Sequence, residues 1–120
     1  MKYLLIITMN PTVFETLSEA DREAVFAGHD ALIKELNETG EMVGFAALAD
    51  PSATKTVRVR DGVPAVTDGP YVEAKEFLAG YYMVDCESTE RAVELAAKIP
   101  DAKFNAVEVR PLMEPGGLEM

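Results

Sequence analysis

The amino-acid sequence predicts an α+β fold in the order β-α-β, hairpin, β-α-β. Two segments carry helix caps and an apolar stripe, several short apolar runs have the length of strands, and one Asp-Gly pair lies between two alternating runs. A chain of 120 residues has room for one domain with a real core. We expect this domain to span residues 1–113, followed by a flexible tail over residues 114–120.

Two strands are expected in the first part of the chain. Residues 2–9 form an apolar run that ends at Asn10-Pro11, and residues 41–49 form a weaker run that Asp50-Pro51 breaks. The first run carries apolar side chains on both of its faces. A strand of this kind is covered on both sides in the folded protein.

Two helices carry start and stop signals. Ser18 opens a capping box for a helix over residues 18–39, and Gly40 follows it at the C′ position. Ser88 caps the second helix, which Pro100 stops. The residues expected on the apolar stripes are Val25, Leu32 and Leu36 of the first helix and Ala92, Leu95, Ala96 and Ile99 of the second.

The hairpin is the strongest short-range signal in the chain. Thr56–Arg60 and Val63–Thr67 flank Asp61-Gly62, a pair that favours a two-residue turn. A long strand over Phe77–Cys86 is rich in aromatic and β-branched residues, and Asn105–Leu112 is the last strand. Because two helices can cover only one face of such a sheet, the apolar residues on the other face need a partner. We therefore expect a symmetric homodimer that packs sheet against sheet.

Composition and charge narrow the range of partners. The net charge of −10 makes nucleic acid and anionic membranes poor partners. The single cysteine, Cys86, excludes an internal disulfide, and its acidic neighbours predict an inert thiol. The chain opens without a signal-peptide pattern, and its apolar runs are shorter than the ~20 residues that cross a bilayer, so a cytoplasmic location is expected.

The middle of the chain resembles a known family. Val66-Thr67-Asp68-Gly69-Pro70-Tyr71-Val72-Glu73-Ala74-Lys75-Glu76, followed by Ala79-Gly80-Tyr81-Tyr82, resembles the signature of the DGPF branch of YCII-related proteins. The opening Met1-Lys2-Tyr3-Leu4-Leu5 and the closing Val107-Glu108-Val109-Arg110-Pro111-Leu112 are similar too, so the resemblance covers nearly the whole chain. Tyr71 stands where the name-giving Phe usually lies, a departure that keeps the ring and adds a hydroxyl.

The resemblance implies a fold and a chemistry. It implies a ferredoxin-like α/β plait with an antiparallel sheet that dimerises into an α/β barrel. In the wider group a helix histidine and an acidic residue face a shared pocket, and muconolactone-type isomerases and a dehydrochlorinase have similar dimeric barrels. The resemblance also implies an association with extracytoplasmic-function sigma factors. A likeness of fold does not by itself decide function.

His29 and Asp68 are the candidate catalytic residues. His29, the only histidine, lies on the apolar stripe of the first helix. An imidazole titrates near neutral pH and can serve as general base or acid, whereas the alternative is a half-buried histidine with a local hydrogen bond. Asp68 begins the Asp-Gly-Pro turn and would orient His29 or take a substrate proton, whereas the alternative is that it only caps the turn.

Four further residues are candidates for substrate binding. Tyr81 and Tyr82 point to opposite faces of their strand, so one is expected in the core and the other in a cavity, where a phenol can donate to a substrate oxygen. Interface packing is the alternative role for that tyrosine. Arg58 is the candidate for contact with an anionic group, and pairing with an acidic residue across the hairpin is the alternative. Tyr71, in the Asp-Gly-Pro-Tyr motif, is the fourth candidate.

Three functional hypotheses follow for this small dimer. In the first, a sheet-enclosed pocket binds a small organic molecule, on which His29 and Asp68 perform isomerisation or elimination without a cofactor. In the second, the same pocket senses a ligand in a non-catalytic binding or regulatory protein, which the resemblance connects with sigma factors. In the third, the protein is a bare dimerisation module. Neither a redox cofactor nor a metal-ligand cluster is implied by the sequence.

Overall fold

A four-stranded antiparallel sheet carries two helices on one face and forms the body of the protein. The computed structural model describes residues 1–71, 75–114 and 117–118. The helices are α1 (Pro11–Glu15), α2 (Glu19–Thr39) and α3 (Thr89–Ala97), and 3₁₀-helices span Pro51–Ala53 and Pro100–Lys103. The strands are β1 (Lys2–Met9), β2 (Met42–Ala47), β3 (Lys55–Arg60), β4 (Val63–Asp68), β5 (Phe77–Asp85), β6 (Val107–Pro111), β7 (Met113–Glu114) and β8 (Gly117–Leu118).

The main sheet has the strand order β2-β5-β1-β6. Each neighbouring pair is antiparallel, and Leu5 of β1 lies opposite Tyr82 of β5 and Val109 of β6. β1, which the sequence marks as apolar on both faces, is one of the two central strands, and β5 is the other. The prediction of an α+β fold is therefore confirmed.

Alternation along the strands separates a buried face from an open one. The helix-covered face holds a core to which both central strands and both long helices contribute. Its buried members include Tyr3, Leu5, Ile7, Leu32, Leu36, Tyr82, Val84, Ala92, Leu95 and Ile99. On the opposite face Leu4 pairs with Met83 and Ile6 with Tyr81, and all four side chains are only half-buried.

The helix ends agree with the predicted caps. The Ser18 hydroxyl accepts a hydrogen bond from the Asp21 amide at 3.1 Å, and Gly40 ends α2 in the left-handed region at φ 78°. The Ser88 hydroxyl accepts one from the Arg91 amide. The short helix α1 was not predicted, because Asn10-Pro11 was interpreted only as the end of a strand. Asn10 in fact caps α1 by accepting from the Thr12 amide.

β3 and β4 form a separate two-stranded hairpin that pairs with no other described strand. Its turn is the predicted Asp61-Gly62 pair, with φ 52° and 76°. Such positive values suit the twist of a two-residue hairpin turn, which confirms the prediction. In the C-terminal tail β7 pairs with β8, while residues 115, 116, 119 and 120 lie outside the described residues, as do residues 72–74 of the central motif.

A bidentate ion pair joins α3 to the segment before β2. Arg91 donates to the Glu41 carboxylate from Nε at 3.0 Å and from Nη2 at 2.9 Å, and to Glu94 at 3.1 Å. These hydrogen bonds from Arg91 hold the pKa of Glu41 below its usual 4.5. An ionised Glu41 therefore stabilises the fold fully above pH 4.5, the usual pKa of the group. The stabilisation is lost as the pH falls through the lowered pKa of Glu41 in the native state.

We expect Glu41→Gln to lower the urea midpoint of unfolding at neutral pH. The difference from the wild type should shrink as the pH falls below 4.5, because the wild-type carboxyl then becomes protonated too. Glu94→Gln is the matched control, since Glu94 is 64% exposed and makes a single contact with the same arginine. A Glu41→Gln midpoint that stays below the wild type by the same margin at acidic pH would contradict the proposed role of the charge.

Candidate active site

A cleft of about 470 Å³ opens between α2 and the strands β2 and β5, on the helix-covered side of the sheet. Its walls are mainly apolar and aromatic. The residues that line it are Ile7, Met9, Phe14, Val25, Phe26, His29, Asp30, Ile33, Phe45, Ala46, Ala47, Ala79, Gly80, Tyr81, Tyr82 and Asp101. This location differs from the expected one, because the cleft forms within one chain and not between the sheets of two subunits. A volume of this size suits a small organic ligand.

His29 lies on the inner side of α2 and is hydrogen-bonded through both ring nitrogens. Its Nδ1 is 2.6 Å from the Tyr82 hydroxyl, and its Nε2 is 2.6 Å from Oδ1 of Asp101. The His29 side chain is 23% exposed and that of Asp101 13%. The three side chains thus form a continuous carboxylate–imidazole–phenol chain along the wall of the cleft.

The Tyr82 phenol determines the proton positions in this chain. Burial, with smaller contributions from the Asp101 and Asp30 charges, raises the pKa of Tyr82 to about 12. The phenol therefore keeps its proton at neutral pH, and towards the neutral form of the imidazole it is the donor, with His29 Nδ1 as the acceptor. Nε2 then carries the ring proton and donates to Asp101. In this arrangement each of the two hydrogen bonds has one donor and one acceptor.

The position of Asp101 depends on close packing between α2 and the 3₁₀-helix Pro100–Lys103. Gly28 immediately precedes His29, and a Cβ at this position would overlap the ring of Pro100. The glycine therefore allows the 3₁₀-helix to approach α2 closely enough for the next residue, Asp101, to reach the imidazole. Backbone hydrogen bonds within this turn, from Ala102 to Ile99 and from Asn105 to Asp101, hold it in place.

Aromatic rings form the apolar part of the cleft. The His29 and Tyr82 rings are nearly parallel, at 7° with centroids 5.8 Å apart. The Phe45 ring also stacks on Tyr82, with the centroids 5.9 Å apart. Phe26 and Phe45 are 63% and 52% exposed at the edges of the cleft. Large exposed aromatic rings at the mouth of a concave site are typical of ligand-binding surfaces.

The carboxylates in the lining of the cleft make it acidic. Among the described residues that line it, Asp30 and Asp101 are the two carboxylates, and neither a lysine nor an arginine is present. A ligand with a positive charge or no charge therefore fits this environment better than an anion does.

The structure separates Asp68 from His29 within one chain. Asp68 ends β4, its side chain is 83% exposed, and its carboxylate pairs with the Lys55 ammonium across the hairpin. The carboxylate that contacts His29 is Asp101, which the sequence did not single out. Asp101 follows the helix-stopping Pro100, a position that looks like an ordinary turn in the sequence.

The four predicted binding residues lie in three places. Tyr82 is 3% exposed in the core and contacts His29, while Tyr81 is half-buried on the opposite face of β5, as the alternation predicted. Arg58 and Tyr71 lie together outside the cleft, with the guanidinium 5.5 Å from the ring centroid and the ring 69% exposed. This cation–π contact fastens the base of the hairpin.

The remaining reactive groups do not add a second site. Cys86 is buried, and that burial is the main reason why its pKa is raised, so its thiol stays protonated. Among residues 1–71, 75–114 and 117–118, the side chains form no cluster suited to holding a metal ion. Within the same residues, no helix is both long and apolar enough to cross a membrane.

Comparisons with known proteins agree with the resemblance in the central motif. Residues 1–115 match the family model of the YCII-related domain. An uncharacterised protein of Rhizobium meliloti (strain 1021) is 32% identical to this chain, and the alignment covers 98% of each.

Proposed function

The chain belongs to the YCII-related family, and on that premise we propose that it binds a small organic molecule and moves a proton on it without a cofactor. The observation that carries the proposal is the chain of hydrogen bonds from Asp101 through His29 to Tyr82 at the wall of an apolar cleft. The proposed reaction class is isomerisation or elimination at a carbon next to an electron-withdrawing group.

The proposed proton path runs through the phenol. Tyr82 Oη accepts the proton from the substrate carbon while its own proton moves to His29 Nδ1, and the bonding pair of the C–H bond stays on the substrate. The carboxylate of Asp101 stabilises the resulting imidazolium. In an isomerisation the path runs backwards and returns the proton to another carbon. In an elimination the electron pair expels a leaving group and the proton later passes to water.

We also propose that two copies associate through the open face of the main sheet. The strand order β2-β5-β1-β6 with α2 and α3 on one face suits a ferredoxin-like plait, and the half-buried pairs on the other face support a second copy there. Two such sheets facing each other would form the dimeric α/β barrel that the resemblance implies. The sigma-factor association and the cytoplasmic location stay predictions.

The test is deuterium exchange from D₂O into a panel of neutral cyclic ketones and unsaturated lactones. We expect the wild type to accelerate exchange at the acidic carbon of at least one probe, and His29→Gln and Tyr82→Phe to lower the rate at least ~100-fold. Asp101→Asn should lower it at least ~10-fold. Tyr3→Phe is the matched control, because Tyr3 is a buried tyrosine on the same sheet face whose hydroxyl contacts Thr89 instead.

Three outcomes would count against this proposal. If no probe exchanges faster with the wild type than in buffer, or if His29→Gln keeps the wild-type rate, His29 does not transfer a proton. If Asp68→Asn loses activity while Asp101→Asn keeps it, the carboxylate is Asp68, as first expected from the motif.

A second candidate function is ligand binding without turnover. It is favoured by the saturation of both His29 ring nitrogens and by the 3% exposure of Tyr82, which leave little polar surface free for a substrate. In that case a probe would shift the ring signals of His29, and His29→Gln would change its affinity, while no deuterium exchange would occur.

A further inference from the structure

We call the hairpin of residues 55–68 the arm. Within the described part of the chain, the arm has contact partners only at its base. Its strands β3 and β4 pair only with each other in that part. The radius of gyration of 16.6 Å exceeds the ~13–14 Å of a compact chain of this length, as a projecting element requires. Because an isolated two-stranded hairpin is only marginally stable in water, the arm needs a surface to pack on.

The two faces of the arm differ in character. Cross-strand pairing places Val57 opposite Val66 and Val59 opposite Pro64, so these side chains form one apolar face. The three valines are 58–61% exposed. On the other face Arg58 packs on Tyr71, and the Thr56 hydroxyl donates to the Gly69 carbonyl. The second face is thus fastened near the base and has one exposed valine, Val63, opposite Arg60 at the tip. The other face, called the valine face, has the three valines together, beyond the Lys55–Asp68 pair at its base.

The charge of the arm is opposite to that of the chain as a whole. The arm carries Lys55, Arg58 and Arg60 but only two acidic residues, Asp61 and Asp68. It is therefore net positive, whereas the complete chain has a net charge of −10. A positive arm with an apolar face is complementary to the acidic body of another copy of this protein.

We propose that the arm packs its valine face on the body of a second copy, so that the two copies hold each other with reciprocal arms. The inference rests on the homodimer of the proposed function and adds a second contact to it. In a two-fold dimer the arm of each copy packs on the body of the other copy. Every contact of the arm therefore occurs twice in the interface.

The available areas support this arrangement. With ~3.3 Å per residue and ~4.8 Å between strands, one face of the arm covers roughly 200 Å², and the open face of the main sheet covers roughly 400 Å². Two arms, each counted with the surface it covers, and the two sheet faces then bury roughly 1,600 Å². Stable interfaces bury about 1,200–2,000 Å² in total, a range that the sheet faces alone do not reach.

The first measurement is the dimer dissociation constant by sedimentation equilibrium of the full chain. We expect Val66→Glu to raise it at least ~100-fold, because a charge would be buried at two symmetric positions. Ala65→Glu adds the same group one residue away on the opposite face, next to Arg58, and should leave the constant within about threefold of the wild type. Far-UV circular dichroism checks that both variants are folded.

A second measurement, photo-cross-linking, does not require a substitution that weakens the dimer. A photo-reactive amino acid placed at position 66 should cross-link to the body of another copy, whereas the same group at position 65 should not. If the wild type is a dimer that both glutamate variants weaken equally, or that neither weakens, the arm inference fails and the homodimer stands. If the wild type is a monomer at the concentrations tested, the homodimer and the arm fail together, while the proton transfer in the cleft is unaffected.

Discussion

Benzamidine will bind the cleft at least ~100-fold more tightly than benzoate, and neutral benzamide will lie between them. The three molecules have nearly the same planar shape and differ in charge, so their affinities report the electrostatics of the site. Asp30 and Asp101 both line the cleft, and the described lining residues include no lysine or arginine. At an effective dielectric of ~20, a unit charge ~5 Å from another interacts with it by about 3 kcal/mol, which is about two orders of magnitude in affinity.

The single histidine makes the measurement direct. The ring signals of His29 follow the titration of each compound, because no second imidazole overlaps them. Asp30→Asn should bring the affinities of benzamidine and benzoate closer together, since it removes one of the two carboxylates. Asp61→Asn, at the tip of the hairpin and outside the cleft, should leave their ratio unchanged. Benzoate binding as tightly as benzamidine would overturn the assignment of an acidic cleft.

Local signals account for most of what the sequence predicted correctly. The caps at Ser18, Gly40 and Ser88 and the turn at Asp61-Gly62 each depend on a few neighbouring residues, and all four are present in the structure. Capping and turn chemistry act over three or four residues, so they can be recognised without knowledge of the fold. The helix α1 was missed because Asn10-Pro11 can either end a strand or begin a helix.

The partner of His29 could not be predicted in the same way. Asp101 lies 72 residues further along the chain, and its contact with the imidazole is produced by packing of the 3₁₀-helix on α2. Asp68 was the more visible candidate because it belongs to a recognisable motif, yet turn formation and pairing with Lys55 are sufficient to explain it. The pair Gly28-His29 offered a weak signal, since a glycine inside a helix often permits close approach of another segment.

Tyr82→Phe will remove a large part of the alkaline sensitivity of the fold. In the wild type the native phenol has a pKa of about 12, whereas an unfolded tyrosine has one of about 10. Between these values the unfolded state loses the proton first, so it binds fewer protons than the native state and the free energy of unfolding falls as the pH rises. With about 1.4 kcal/mol for each unit of difference, this loss is about 2 kcal/mol by pH 12.

Urea unfolding at a series of alkaline pH values, for the wild type and the variant side by side, measures this loss. At neutral pH we expect Tyr82→Phe to be less stable by roughly 1–3 kcal/mol, because His29 Nδ1 then lacks its donor. The difference should shrink by about 2 kcal/mol between pH 8 and pH 12. Tyr3→Phe keeps Tyr82 and should therefore follow the pH dependence of the wild type. If the difference between wild type and Tyr82→Phe is constant with pH, the native phenol ionises as easily as the unfolded one. Tyr82 would then not be a fixed donor to His29, and the proposed proton path from the substrate through Tyr82 to His29 would lack its first group.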